Sequence, residues 1–100
     1  MRKGILEMCI LGIVRNGEAY PSDIIDKLKD GELIIVEGTL YPLLTRMKNA
    51  GMLDYQWKES TSGPPRKYYR ITPEGETFLN DLTSHWDRLF NAVTFSLKNN

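Results

Sequence analysis

The chain has 100 residues, of which 41% are hydrophobic and 26% are charged. This is the composition of one small globular domain, not of a disordered segment. Basic and acidic residues number 13 each, so the net charge is zero, and phosphate binding can rest only on local clusters of cations.

No membrane segment is predicted. The longest apolar run is far shorter than the roughly 20 residues that cross a bilayer, and residues 1–14 lack a small-residue cleavage pattern. The single cysteine, Cys9, cannot form a disulfide within one chain and is expected to be a small buried hydrophobe. We therefore expect a cytoplasmic protein without membrane contact.

Two helices are predicted first. Apolar side chains recur at three- and four-residue spacings from Arg2 to Arg15, which predicts a core helix that stops at Asn16-Gly17. Pro21 and Ser22 predict the start of a shorter helix, with acidic residues early and lysines late, that ends at Gly31. This second helix would be the first helix of a helix-turn-helix.

Residues 33–36 (Leu-Ile-Ile-Val) predict an extended connector, or alternatively one short strand that pairs with a hairpin. Gly38 and Thr39 predict the start of a third helix, with Pro42 in its first turn, where a missing N–H has no helical partner anyway. Gly51 ends this helix. Its predicted buried stripe consists of Leu40, Leu43, Leu44 and Met47.

A β-hairpin is predicted next. Residues 52–57 and 67–72 are aromatic-rich and strand-like, and the turn-prone residues 60–65 lie between them. We call this hairpin the wing. Its predicted inward residues are Leu53 and Tyr55 on the first strand and Tyr69 and Ile71 on the second.

A last helix is predicted from Pro73 to about Lys98. Apolar residues at alternating spacings of three and four are typical of a coiled-coil seam. One small domain cannot bury all of this surface, so we expect a homodimer formed through the helix. The predicted dimer residues are Leu79, Leu82, Trp86, Leu89 and Val93.

Three segments together resemble the PadR family of bacterial transcriptional regulators, in its short branch with a single dimerisation helix: GTLYPLL at 38–44, GPPRKYYRIT at 63–72 and PEG at 73–75. The resemblance implies a mainly α fold with a small β-hairpin. Residues 1–73 would form a winged helix-turn-helix. Residues 74–100 would form the dimerisation helix, packed on the N-terminal helix and not an independent domain.

The function that the resemblance implies is a dimeric repressor on double-stranded DNA with a two-fold symmetric operator. Family members respond to phenolic acids or hydrophobic drugs, so a small hydrophobic or aromatic effector is expected to release the DNA. Trp86, at the centre of the predicted seam, could leave a slot for such a ligand, although packing of the dimer is the simpler role.

The exposed side of the third helix is the predicted DNA-reading surface: Thr39, Tyr41, Thr45, Arg46 and Lys48. Hydroxyls and a guanidinium suit phosphates and base edges, and Arg46 is the predicted reader of guanine. Lys48 is expected to contact phosphate or merely to be solvated. In the alternative interpretation, Tyr41 packs against the wing and Thr39 caps the helix.

The predicted wing residues that meet DNA are Gly63, Pro64, Pro65, Arg66 and Lys67. A glycine permits a tight bend and two prolines reduce the loop conformations, so the cations would reach the minor groove or its phosphates with less entropy to lose. The alternative is a plain solvated hairpin.

No catalytic or metal site is predicted, because His85 and Cys9 have no accompanying ligands or catalytic partners, and no cofactor is expected. The competing function is a winged-helix protein-interaction module without DNA binding, which the zero net charge permits. Salt discriminates between the two, since phosphate-dependent binding weakens steeply as salt rises.

Overall fold

A computed structural model describes the backbone of residues 2–98 and the side chains of residues 4–98. The elements in chain order are α1 (Arg2–Asn16), α2 (Pro21–Asp30), α3 (Glu37–Asn49), β1 (Leu53–Ser60), β2 (Gly63–Ile71) and α4 (Pro73–Lys98). The predicted fold, mainly helical with one antiparallel hairpin and a long C-terminal helix, is confirmed. Among the helices of residues 2–98, none has the length and apolar character needed to span a membrane.

One hydrophobic core joins the first three helices to the wing and to the beginning of α4. The predicted stripe of α3 is buried in it, as are Ile10 and Leu11 of α1 and Ile24 of α2. Burying each large aliphatic side chain stabilises the fold by about 1.5–3 kcal/mol. This core holds α3 by its apolar face, so that its polar face is left exposed.

The two strands of the wing pair with each other, and the four residues predicted to face inward do so. Leu53 lies opposite Ile71 and Tyr55 opposite Tyr69, and all four side chains are buried or packed against the core. The outer edge of β2 is covered by Ala19, whose N–H and C=O exchange hydrogen bonds of 3.0 and 2.8 Å with Tyr69. The alternative of a strand at residues 33–36 is wrong, because the α1–α2 linker already occupies that edge and residues 33–36 form no strand.

The wing is longer and its turn shorter than predicted. Thr61 and Ser62 form the turn, whereas Pro64 and Pro65 belong to β2. The pairing shifts register between Lys58 and Ser60, where the strands are irregular. Prolines lack the N–H that a regular ladder uses, and an irregularity of this kind accommodates them.

Helix α3 begins earlier than predicted, at Glu37, because the C=O of Val36 accepts the N–H groups of Thr39 and Leu40, each at 3.0 Å. Pro42 is therefore the sixth helical residue and lies beyond the first turn, so its placement there was wrong. Lacking an N–H, it cannot bond the C=O of Gly38. The alternative in which Thr39 caps the helix is also wrong, since Val36 occupies that position.

Candidate nucleic-acid interface

A groove of about 350 Å³ separates α3 from the wing. Residues four apart on a helix share a face, and α3 contributes Tyr41 and Thr45 in this way. The opposite wall includes Arg66 and Lys67 of β2. The other lining residues are Pro21, Ser22, Glu37, Trp57, Pro65 and Tyr69. The structure thus brings together two predicted helix residues and three predicted wing residues.

The remaining α3 residues lie elsewhere. Thr39 and Arg46 line a separate cavity of about 180 Å³ beside Leu6 of α1. The Arg46 Nη2 atom lies 3.3 Å from a carboxylate oxygen of Glu7. Lys48 approaches the wing instead, with its Nζ 5.8 Å from the ring centroid of Tyr55. Thr39 and Arg46 therefore lie on the side of α3 next to α1, whereas Lys48 lies on the side next to the wing. Base reading by Arg46 stays a prediction.

Arg66 is held against α2 by two contacts. Its Nη2 donates a hydrogen bond of 2.7 Å to the Ser22 hydroxyl. Its guanidinium carbon lies 4.0 Å from the ring centroid of Tyr20, a cation–π arrangement. The guanidinium therefore lies beside the first turn of α2, whose Pro21 and Ser22 also line the groove.

Lys67 lies on the opposite face of β2, because successive side chains of a strand alternate. Its Nζ is 4.6 Å from the ring centroid of Tyr55 and 5.5 Å from that of Trp57. The two rings meet nearly perpendicularly, with centroids 5.9 Å apart. This aromatic surface holds the ammonium beside the groove, which Lys67 and Trp57 both line.

Acidic side chains concentrate away from the groove. Asp23, Asp26 and Asp30 line a different cavity of about 440 Å³ together with Glu18. Among the described residues that line the groove, Glu37 is the one carboxylate. Among the residues that line the groove, cations therefore outnumber anions although the chain as a whole is neutral.

Arg70, a further basic residue of the wing, is paired with a carboxylate. It lies 3.3 Å from Asp54, its partner across the strands. The N–H of Tyr55 and the Arg70 guanidinium lower the pKa of the Asp54 carboxyl. Asp54 is thus an anion that neutralises one of the basic residues of the wing.

Tyr69 forms part of the groove floor and is buried. Burial raises the pKa of its phenol, and the neighbouring Tyr55 and Tyr41 raise it further. Tyr41 itself is exposed, so its hydroxyl remains accessible from the groove.

Sequence reasoning did not assign six residues to this region: the groove-lining Pro21, Ser22, Glu37, Trp57 and Tyr69, and Tyr20, which packs on Arg66. Trp57 is 61% exposed, and an exposed tryptophan next to a basic strand was a usable signal. Ser22 and Tyr20 gave no signal in the sequence, because their contacts to Arg66 join distant parts of the chain.

An apolar cavity of about 170 Å³ lies between α1 and α4. Trp86 is 42% exposed at its edge. The lining residues are Gly4, Ile5, Met8, Leu82, His85, Trp86 and Leu89.

Leu79 is only 2% exposed within the chain's own core, so its assignment to the dimer seam is wrong. Val93 and Leu89 remain exposed further along α4.

Known proteins resemble this chain in both sequence and fold. The Transcriptional regulator PadR-like family matches residues 10–81. A PadR-like transcription factor from Bacteroides fragilis is 57% identical, with a TM-score of 0.86, over 95% of this chain and 92% of its own. A PadR-like transcriptional regulator from Bacillus cereus is 37% identical, with a TM-score of 0.86, over 100% of this chain and 98% of its own.

Bacillus subtilis PadR has been solved in complex with operator DNA. It is 26% identical to this chain, with a TM-score of 0.71, over 77% of this chain and 44% of its own. The family match covers α2, α3 and the wing, the elements that form the groove. The chain therefore belongs to the PadR-like family of transcriptional regulators.

Proposed function

We propose that this protein is a sequence-specific DNA-binding regulator that acts as a dimeric repressor. The observation that carries the proposal is the groove between α3 and the wing, where Tyr41 and Thr45 face Arg66 and Lys67. Hydroxyls and cations from two elements, one of them a helix, suit a major groove and its adjacent phosphates.

The family supports the same function. Bacillus subtilis PadR binds operator DNA, and this chain shares its fold. In a two-fold symmetric dimer the two α3 helices would enter successive major grooves about one helical turn, roughly 34–36 Å, apart. The operator would then have matching half-sites.

The first experiment measures binding to the promoter fragment upstream of the protein's own gene. We expect tighter binding than to a scrambled fragment, and a steep loss of affinity between two salt concentrations. Tyr41→Ala and Arg66→Ala should both bind more weakly. Arg88→Ala removes an exposed arginine on α4, far along the chain from the groove, and is the matched charge control.

Either of two results would count against DNA binding: no affinity for any duplex at low salt, or affinity that salt does not change. The second would favour the winged-helix protein-interaction module, because an apolar protein interface responds little to salt. Equal weakening by Arg88→Ala would show a general charge effect and not a contact in the groove.

The proposed dimer interface is the apolar face of α4 beyond the core, chiefly the half-buried Leu82 and the exposed Trp86, Leu89 and Val93. Apolar side chains left exposed on one side of a long helix favour association with a second copy. The same face borders the cavity between α1 and α4. A partner helix would cover that cavity.

We further propose that a small hydrophobic or aromatic effector binds beside Trp86 and weakens DNA binding. A cavity of about 170 Å³ has room for one aromatic ring, since apolar cavities of roughly 150 Å³ bind benzene. Binding of the effector in this cavity would separate α1 from α4 and thereby alter the distance between the α3 helices of the two protomers.

Fluorescence tests the effector site. The chain has two tryptophans, so Trp57→Phe leaves Trp86 as the single tryptophan signal. Addition of a phenolic acid should quench that emission and, in the wild type, release the promoter fragment. If a panel of phenolic acids and flat hydrophobic cations changes neither signal, effector regulation fails while DNA binding still stands.

A further inference from the structure

The wing is joined to α2 by a continuous series of aromatic and cationic side chains. The Arg66 guanidinium carbon is 4.0 Å from the Tyr20 ring centroid. The Tyr20 ring meets the Tyr68 ring edge-on, with centroids 4.8 Å apart. Lys58 completes the series, with its Nζ 4.0 Å from the Tyr68 centroid. Tyr20 is the one member of this series that lies outside the wing.

The backbone of Tyr20 is held in place from both sides. Its N–H donates a 2.9 Å hydrogen bond to the Asp23 carboxylate, and its C=O accepts the N–H groups of Asp23 and Ile24 at 3.0 and 3.1 Å. The preceding residue, Ala19, is paired with Tyr69 of β2. The ring therefore projects from a point fixed to both α2 and the wing.

The outer part of the wing needs such support. A two-stranded hairpin by itself is marginally stable in water, and residues 56–59 of β1 are exposed. Lys58 and Arg66 lie opposite each other, at the last regular pair before the register shifts. The contacts of Tyr20 and Tyr68 thus reach the point at which regular pairing ends.

We propose that Tyr20 is a positioning residue of the DNA interface. Its ring holds Arg66, and with it the outer wing, at a set distance from α2, so that the wing and α3 meet one duplex together. The proposal rests on the DNA binding proposed above. Preorganisation of this kind raises affinity because less freedom is lost on binding.

The test compares Tyr20→Phe, Tyr20→Leu, Arg66→Ala and the double variant Tyr20→Leu/Arg66→Ala for affinity to the promoter fragment. Tyr20→Phe keeps the ring and should bind like wild type. Tyr20→Leu keeps apolar bulk without the π face, and its affinity should fall about two- to fivefold, the size of an exposed cation–π contact. In the double variant the loss should equal that of Arg66→Ala alone, because Tyr20 acts through Arg66.

A measurement without DNA keeps the proposal separate from the proposed function. In NMR spectra of the free wild type, the Arg66 side-chain Nε–H proton should be shifted upfield by the Tyr20 ring. The shift should persist in Tyr20→Phe and disappear in Tyr20→Leu. Melting temperatures check that each variant is folded, and the wild-type shift can be read even if Tyr20→Leu does not fold.

The outcomes are distinct. Unshifted Arg66 protons in the wild type, wild-type affinity of a folded Tyr20→Leu, or additive losses in the double variant would each overturn the positioning role. If the wild type binds no duplex, the proposed function fails. The Arg66 resonance then still shows whether the Tyr20 ring lies against the Arg66 guanidinium.

Discussion

The Arg46 guanidinium lies 3.3 Å from the Glu7 carboxylate and links α3 to α1. The Glu7 side chain is 13% exposed and that of Arg46 is 54% exposed, so the carboxylate has lost most of its water while the guanidinium keeps contact with solvent. Helix α1 also lines the Trp86 cavity through Ile5 and Met8. One helix therefore contacts both α3 and the proposed effector site.

This ion pair competes with any contact of Arg46 to DNA. We expect Glu7→Gln to tighten promoter binding about two- to fivefold, because an ion pair of up to roughly 1 kcal/mol no longer holds the guanidinium. Fluorescence anisotropy with a labelled duplex at fixed salt measures the change.

Glu18→Gln is the control for Glu7→Gln, since it removes the same charge from a residue that lines the acidic cavity. An equal gain in both variants would mean that net charge, and not release of Arg46, is responsible. The gain should also vanish when Arg46→Ala is combined with Glu7→Gln.

Gly75 is required by packing at the junction of the wing and α4. A Cβ there would collide with the carbonyl oxygen of Met52 and lie 2.8 Å from Cγ1 of Ile71. That oxygen accepts the N–H of Thr72 at 3.1 Å, so it cannot move away freely. We expect Gly75→Ala to lower the free energy of unfolding by about 1–3 kcal/mol, measured by urea denaturation.

Gly38→Ala is the matched control for Gly75→Ala, because a Cβ at that helical position meets no atom within 4 Å. Its stability should be unchanged or slightly higher. A Gly75→Ala protein as stable as the wild type would show that the junction can relax.

The raised pKa of Tyr69 predicts a loss of stability in alkali. Its phenol stays protonated in the folded protein above the ordinary pKa of 10.0, whereas the unfolded chain ionises there. The folded state then binds more protons than the unfolded state, so stability falls as the pH rises through that region.

Tyr69→Phe removes this titration. Urea denaturation at about pH 8 and about pH 10.5 should show a smaller alkaline loss for the variant than for the wild type, since ordinary phenols ionise near pH 10. Tyr68→Phe, on the other face of the same strand, is the comparison. Parallel pH profiles for wild type and Tyr69→Phe would contradict the role of Tyr69.

Val93→Glu tests the proposed dimer. Val93 is 50% exposed in the single chain, so a carboxylate there should leave the fold intact but place like charges together across a symmetric interface. Sedimentation should show a monomer, with the melting temperature of the protein little changed at low concentration. Asn91→Glu adds the same charge on the other side of α4 and should remain dimeric.

Three of the four helices follow from local signals. Pro21, Gly31 and Pro73 mark the ends of helices. The apolar periodicity of α1 marks its buried face, and that of α4 marks a stripe that runs from the buried Leu79 to the exposed Val93. Such signals act within a few residues, so reading them requires no knowledge of the fold.

The third helix departs from its local signal. Proline disfavours a helix beyond the first turn, yet α3 starts at Glu37 and continues through Pro42. Burial of Leu40, Leu43 and Leu44 accompanies this start, and tertiary packing of that kind outweighs one missing hydrogen bond. Local reasoning placed the start late because it does not include that packing.

The sequence by itself determined the kinds of element, their order, the inward faces of the wing and the family. Only the tertiary structure decided which partner each cation takes. Arg66 meets Ser22 across 44 positions and Arg46 meets Glu7 across 39. Periodicity and capping describe neighbours along the chain, whereas these contacts arise when the core brings α1 against α3 and α2 against the wing.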